Sequence, residues 1–365
     1  MKKSRLLGIE LCRGLATYAV ILVHSGDETW GIPVDPNAVT FRLLFYFAVP
    51  YFLATAFYFM TANPEIGKSP KFWRSRVDRI VIPYACWTVI FLISRVIVFT
   101  LSHKPDRLQQ LLQDPLSIVF LGGASYHLYF LPLLLAGTSL VLLMPLLTKL
   151  KVDKYGLLSL SVVSIFLYHL LEVSGNSFQL GTNVAFQSLL SSWQITPEQY
   201  PLLRLVLVEV AWVIKCLPYF FIALTLNQFL QNAKSLNGAF TSVLWLFAFL
   251  LSNTLGKLFL PGALQEVLLA YTLLLFSISL SNYFQDNRIA NLAASVGVCS
   301  FGIYLIHPLL MNIVKPLVGR IMPGIITSIS VHSMLLLSIP CFLISWLIVA
   351  YLSRNKLIAT YLFGA

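Results

Sequence analysis

The chain has 365 residues, 58% of them hydrophobic and only 11% charged, with a mean hydropathy of +0.81. An average soluble domain is roughly 25% charged, so these values exclude a soluble globular fold and specify a polytopic membrane protein of all-α class. The formal net charge of +11 does not mark a nucleic-acid partner, because bases in such a chain sort by side of the membrane.

Segments of about 20 apolar residues, the length that crosses the hydrocarbon core, fall at ten places: 6–25, 39–62, 79–101, 126–148, 155–173, 203–226, 239–257, 263–283, 294–314 and 326–352. With the amino terminus inside, the cytoplasmic set of bases is Lys2, Lys3, Arg5, Lys68, Lys71, Arg74, Arg76, Arg79, Lys149, Lys151, Lys154, Lys234, Arg288, Arg354 and Lys356. The outer set is Arg42, Lys104, Arg107, Lys257, Lys315 and Arg320. Fifteen against six is a positive-inside bias, and an even number of spans returns the carboxyl terminus to the cytoplasm. No internal repeat or linker divides the chain, so 1–365 reads as one bundle. Its five cysteines, Cys12, Cys86, Cys216, Cys299 and Cys341, all fall in apolar segments without metal-ligand spacing, and read as small buried hydrophobes.

Met1 to Arg5 with the apolar run after it imitates a signal peptide. Glu10 and Arg13 interrupt that run and no small-x-small cleavage site precedes Asp27, so the segment is expected to be a retained first helix. It carries the most informative pair in the chain, Arg13 and His24. Charged and ionisable groups at membrane depth mark functional sites by default. At about 100° per residue, eleven steps bring His24 within roughly 20° of Arg13, about 16 Å further along the axis. Both therefore face one side at two depths, and Glu10 can pair with Arg13 across one turn. A neutral imidazole can take the proton of a hydroxyl as that hydroxyl attacks an acyl carbonyl. An Arg fork suits a phosphate, carboxylate or carbonyl. A long donor with anionic groups at one end and a thioester at the other, such as acyl-coenzyme A, fits this spacing. The plain alternative is that the three side chains only hydrogen-bond neighbouring helices.

Further along, the basic cluster Lys68 to Arg79 precedes the third span on the expected cytoplasmic face. Positive-inside topology and anionic membrane lipids account for it most simply; Arg74, Arg76 and Arg79 are the candidates for bidentate phosphate contact. His127 and Tyr129 open the fourth segment. The non-apolar stretch Val173 to Pro201 carries Asn176, Gln179, Asn183, Gln187, Trp193 and Gln194 without Lys or Arg, a composition shared by sugar-binding surfaces and ordinary loops. Arg204, Glu209 and Lys215 are spaced too widely for one-turn pairs, so partners on other helices are expected. Ser300, Tyr304 and His307 share one face of the ninth segment, which is expected to turn inward.

Four motifs resemble one family. Gly8-Ile9-Glu10-Leu11-Cys12-Arg13-Gly14-Leu15-Ala16 leading to His24 looks like the opening helix of the integral-membrane acyltransferase-3 family. Lys71 to Tyr84 is similar to the family's basic loop before the third helix. Tyr126-His127-Leu128-Tyr129-Phe130-Leu131-Pro132 resembles its tryptophan-phenylalanine-leucine segment, with Tyr129 where Trp is usual. Ser300 to Pro308 resembles its late Tyr-Leu-Ile-His-Pro helix. In the second helix the usual Ser-Gly pair is replaced by Thr55-Ala56, which preserves small residues for close packing.

The resemblance implies ten helices in the plasma (cell inner) membrane, acyl-CoA as co-substrate with acetyl the commonest group, no tightly bound cofactor or metal, and a hydroxyl of a surface glycan or glycolipid as acceptor. It also implies that Arg13 and His24 are the essential pair. Glu10 is expected to orient Arg13, and His127, Tyr129, Ser300, Tyr304 and His307 to contact substrate. Two other readings stand beside the enzyme: a transporter or flippase for a lipid-linked sugar, and a structural subunit among glycan-assembly proteins.

Overall fold

The computed structural model describes residues 6–26, 32–103, 106–107, 109, 113–179, 182–196, 199–232, 239–284 and 288–365. Lys2, Lys3, Arg5, Asp27, Lys104 and Lys234 lie outside the described residues. Among those described, nine helices are long and apolar enough to cross a membrane: α1 (Leu7–Ser25), α2 (Pro36–Met60), α3 (Pro70–Leu101), α4 (Phe130–Lys149), α5 (Lys154–Val173), α6 (Pro201–Leu230), α8 (Gly262–Tyr283), α9 (Ala290–Ile321) and α10 (Val331–Leu352). A shorter apolar helix, α7 (Phe240–Thr254), stands between α6 and α8, and α11 (Lys356–Phe363) follows α10. The chain is a multi-pass helical membrane protein.

Local chemistry fixes several helix starts. Asp35 before Pro36 and Asp114 before Pro115 each accept a bond from the first turn, from the amides of Asn37 and Ser117. Proline at the first helical position loses no intrahelical bond there. Asp153 and Ser330 cap α5 and α10 in the same way. Pro70 likewise starts α3 early. The basic cluster expected as a loop is therefore helical, running through Pro70–Arg76 and a five-residue π-segment, Val77–Val81, before Ile82–Leu101. The fourth helix begins at Phe130, so His127 and Tyr129 lie in the turn ahead of it rather than in the span. The polar stretch after α5 contains an antiparallel hairpin, β1 (Ser177–Gln179) with β2 (Thr182–Val184), and a short helix, Gln187–Ser192, neither of which its composition signals.

Two compact units emerge, Met1–Ala56 with Asn232–Asn355, and Phe57–Gln231 with Lys356–Ala365. In the first, α1 packs on α8, α9 and α10. The directions follow from paired contacts. Gly297 meets Glu10, the Ser300 carbonyl meets Thr17, and His307 meets His24; both series ascend, so α1 and α9 are parallel. Ser25 bonds the Met334 carbonyl and Tyr18 reaches Ser338, so α10 descends against α1. Ser242 to Ser279 and Gln265 to the Ser252 carbonyl make α7 antiparallel to α8. The seventh apolar segment is thus a helix that runs opposite to the eighth but is shorter than the nine spans.

Glycine allows these approaches. A Cβ at Gly8 would fall 2.1 Å from the Ser277 carbonyl of α8, at Gly14 2.5 Å from Val296 Cγ1, and at Gly297 2.6 Å from Glu10 Cα. In a membrane, where apolar burial does not drive helices together, such small-residue contacts and interhelical hydrogen bonds do. At the His24 end, Leu22, Ala38, Ile329 and Met334 form an apolar cluster with Tyr18 and Phe41 against it.

In the second unit, Arg204 of α6, 5% exposed, donates Nη2 to both carboxylate oxygens of Asp114 at 2.6 Å. This is the partner from another element that its spacing demanded; Lys215 similarly donates to the Tyr168 hydroxyl of α5 at 2.6 Å. Residues Leu121 to Ser125 form an irregular, fully buried turn. Tyr84 of α3 straddles it, donating to the Ile118 carbonyl and accepting from the Gly122 amide, both at 3.0 Å. Irregular backbone in a membrane protein persists only where such partners replace the missing ladder. The indole of Trp87 donates to the Leu362 carbonyl at 2.8 Å and seats α11 on α3.

Candidate active site

Helix α1 is unbroken from Leu7 to Ser25, so the eleven-residue interval holds Arg13 and His24 on one stripe about 16 Å apart along the axis. The stripe faces protein. Glu10, 60° from Arg13 by helical phase, lies against Gly297 of α9, and Thr17 donates to the Arg13 carbonyl at 2.9 Å and reaches the Ser300 carbonyl of α9 at 3.5 Å. Leu15, some 200° around from Arg13, is 54% exposed. The lipid-type side chain and the polar pair thus occupy opposite faces of one helix.

Toward the amino-terminal end of the stripe, Arg13 Nη1 lies 3.6 Å from Glu10 Oε2, with 30% and 18% of the side chains exposed. An Arg carries five donors, so the one ion pair it makes among the described residues leaves guanidinium hydrogens for an anionic ligand. Tyr51 of α2, fully buried, closes the same level with its hydroxyl 3.4 Å from the Ile9 carbonyl. At the stripe's carboxyl-terminal end, the His24 ring stacks on His307 of α9, centroids 5.8 Å apart and planes 24° from parallel. His24 is partly accessible, whereas His307 is completely buried. The Tyr304 ring packs against His307 on its own helix at 6.0 Å. Ser300, the third member of that face, is fully buried with its hydroxyl making no hydrogen bond among the described residues.

So the structure brings together Glu10, Arg13 and His24 with Ser300, Tyr304 and His307 along the α1–α9 seam. Sequence reading missed Tyr51, Gly297 and Pro308 as contributors. The signals were present: a glycine inside an apolar helix suggests close approach, and a proline directly after His307 removes a backbone donor.

The remaining candidates belong to the other unit. Arg74 and Arg79 are exposed, and Arg76 is partly buried with its guanidinium 4.9 Å from the Phe72 ring. His127, 1% exposed, places Nδ1 3.1 Å from the Ser125 hydroxyl and packs edge-on to Phe91; Tyr129 is partly buried. Of the amide-rich stretch, Asn183 turns inward and donates to Ser117 Oγ and the Leu121 carbonyl, and Asn176 donates to the Leu171 carbonyl. Gln187, Trp193 and Gln194 remain exposed.

No characterised protein and no solved structure matches the chain. The sequence profile described as an acyltransferase domain matches residues 6–353, a span that takes in Glu10, Arg13, His24, the basic helix and the His307 helix alike. The chain belongs to the integral-membrane acyltransferase-3 family.

Proposed function

We propose that this membrane acyltransferase moves an acyl group, acetyl in the first instance, from cytoplasmic acyl-CoA to a hydroxyl of a surface glycan or its lipid-linked precursor. In this reading both termini face the cytoplasm of the plasma membrane. The observation that carries it is the placement of His24 and Arg13 on one protein-facing stripe of α1, with the His24 ring set against α9.

The separation divides the roles. Groups about 16 Å apart along one rod do not act on the same atom, so Arg13 holds the anionic part of the donor while the thioester reaches His24. His24 accepts the proton of the acceptor hydroxyl, the freed oxygen forms a bond to the carbonyl carbon, and the C–S bond breaks as the oxyanion collapses. The imidazolium then returns its proton to the departing thiolate. Glu10 keeps the Arg13 fork pointed along the stripe. Arg74, Arg76 and Arg79 offer phosphate contacts for the nucleotide, and the partly buried Tyr129 is offered as a contact for the acceptor, with the buried His127 behind it.

Purified protein in lipid vesicles, given acetyl-CoA with a radiolabelled acetyl group and membrane glycan, tests this. Transfer should fall by about 10²–10⁴-fold in His24→Ala, the range for loss of a general base. Arg13→Lys should raise KM for acetyl-CoA. Label transfer unchanged in His24→Ala, or glycan movement across vesicles without release of free CoA, would overturn the assignment.

A further inference from the structure

Histidine 307 and proline 308 form one local device. In an α-helix the amide of residue 308 would bond the carbonyl of residue 304, four positions back. Proline has no N–H, so the amide bond that residue 308 would make to the Tyr304 carbonyl is missing in the middle of α9. The His307 side chain fills that vacancy: its Nδ1 lies 2.6 Å from the Tyr304 oxygen. A carbonyl only accepts, so Nδ1 carries the hydrogen and Nε2 carries the lone pair.

Three contacts hold the residue. Its Nδ1–H is tied to its own helix, the Tyr304 ring lies against it, and Cys341 of α10 donates Sγ–H to its backbone carbonyl at 3.5 Å. With no exposed surface, His307 does not touch a substrate entering the seam. What it offers is a flat face, and the ring stacked on that face is His24.

We propose that the His307–Pro308 pair is a positioning element for His24: proline opens a backbone acceptor, that acceptor fixes the His307 tautomer and plane, and the fixed plane sets the orientation of the His24 imidazole. This rests on the acyl-transfer reading for its kinetic consequence but not for its structural content. It separates His307 from the substrate-contact role expected of it.

Pro308→Ala is the discriminating variant. Alanine restores the amide bond to the Tyr304 carbonyl and is the best helix former, so the variant folds at least as well as the parent. The same restored bond competes with Nδ1–H and releases the ring. Histidine labelled with ¹⁵N, with His24 and His307 assigned through His24→Gln and His307→Gln, reports which ring nitrogen is protonated. The parent should show His307 as the Nδ1–H tautomer; Pro308→Ala should show mixed tautomers at His307 and altered, broadened His24 signals. In the transfer assay, kcat should drop roughly 10- to 100-fold, the scale of an ångström-level misplacement, with KM for acetyl-CoA within about twofold. A purely structural His307 predicts the same stability but parental kcat and unchanged His24 signals in Pro308→Ala.

An Nε2–H tautomer in the parent overturns the proposal. So does a Pro308→Ala protein in which His307 stays Nδ1–H, or one in which the tautomer mixes while His24 signals and kcat are unchanged. If the parent shows no acyl transfer at all, the proposed function fails, and the spectra of His307 and His24 still decide this inference.

Discussion

Gly297→Ala probes the α1–α9 seam through a single methyl group. The added carbon would lie 2.4 Å from Glu10 Oε2, 2.5 Å from its Cβ and 2.6 Å from its Cα. The carboxylate can rotate away, but the Cα belongs to the α1 backbone. Restoring an ordinary carbon–carbon separation of roughly 3.6 Å therefore moves α1 and α9 apart by about 1 Å. Overpacking of this kind costs about 1–3 kcal/mol, and replacing a helical glycine by alanine returns about 1 kcal/mol, so the net loss of stability is small, about 0–2 kcal/mol. Catalysis should suffer far more, because an error of about 1 Å in the placement of reacting groups lowers rates about 100-fold. Thermal unfolding in detergent and acetyl transfer in vesicles should thus dissociate: near-parental melting with a collapse of kcat. Gly324→Ala, where nothing lies within 4 Å of the new carbon, is the matched control. Parental kinetics in Gly297→Ala would refute the argument that this seam sets the geometry of Glu10, Arg13 and His24.

Other expectations follow from the second unit and the basic helix. Arg204→Met strands the Asp114 carboxylate beside a buried turn and should destabilise by about 3–5 kcal/mol, whereas adding Asp114→Ala should recover much of the loss; a double-mutant cycle of unfolding free energies measures both. Trp87→Phe removes the indole bond to the Leu362 carbonyl at a cost of about 1 kcal/mol, and faster hydrogen exchange confined to Lys356–Phe363 would reveal it. Exposed Arg74 and Arg79 should act through donor binding alone: Arg74→Ala with Arg79→Ala should raise KM for acetyl-CoA by at least about tenfold, from about 1.5–3 kcal/mol per lost charged hydrogen bond, and leave kcat unchanged. Steady-state kinetics separate the two parameters, and an unchanged KM would relegate these bases to topology and lipid contact.

The sequence determined the features that are sums over neighbouring residues. Transfer of a segment into lipid is additive along about 20 residues, so all ten apolar segments were legible as helices, nine of them long enough to cross among the described residues and the seventh the shorter α7. Helical phase is equally local, which is why the common stripe of Glu10, Arg13 and His24, and that of Ser300, Tyr304 and His307, could be drawn from numbering alone. Helix starts were less legible: Pro70 carried helix through the basic cluster because a proline at the first turn costs nothing there, where the resemblance to a basic loop had implied no helix. Tertiary structure alone decided which stripe meets which. That α1 and α9 run parallel, that Gly297 admits Glu10 and that His24 lies on His307 depend on the shapes of two surfaces nearly three hundred residues apart. The Asp114–Arg204 pair, ninety positions apart, is fixed in the same way. Such contacts arise from close packing and hydrogen bonding between helices already in the membrane, and no periodicity within either helix encodes its neighbour.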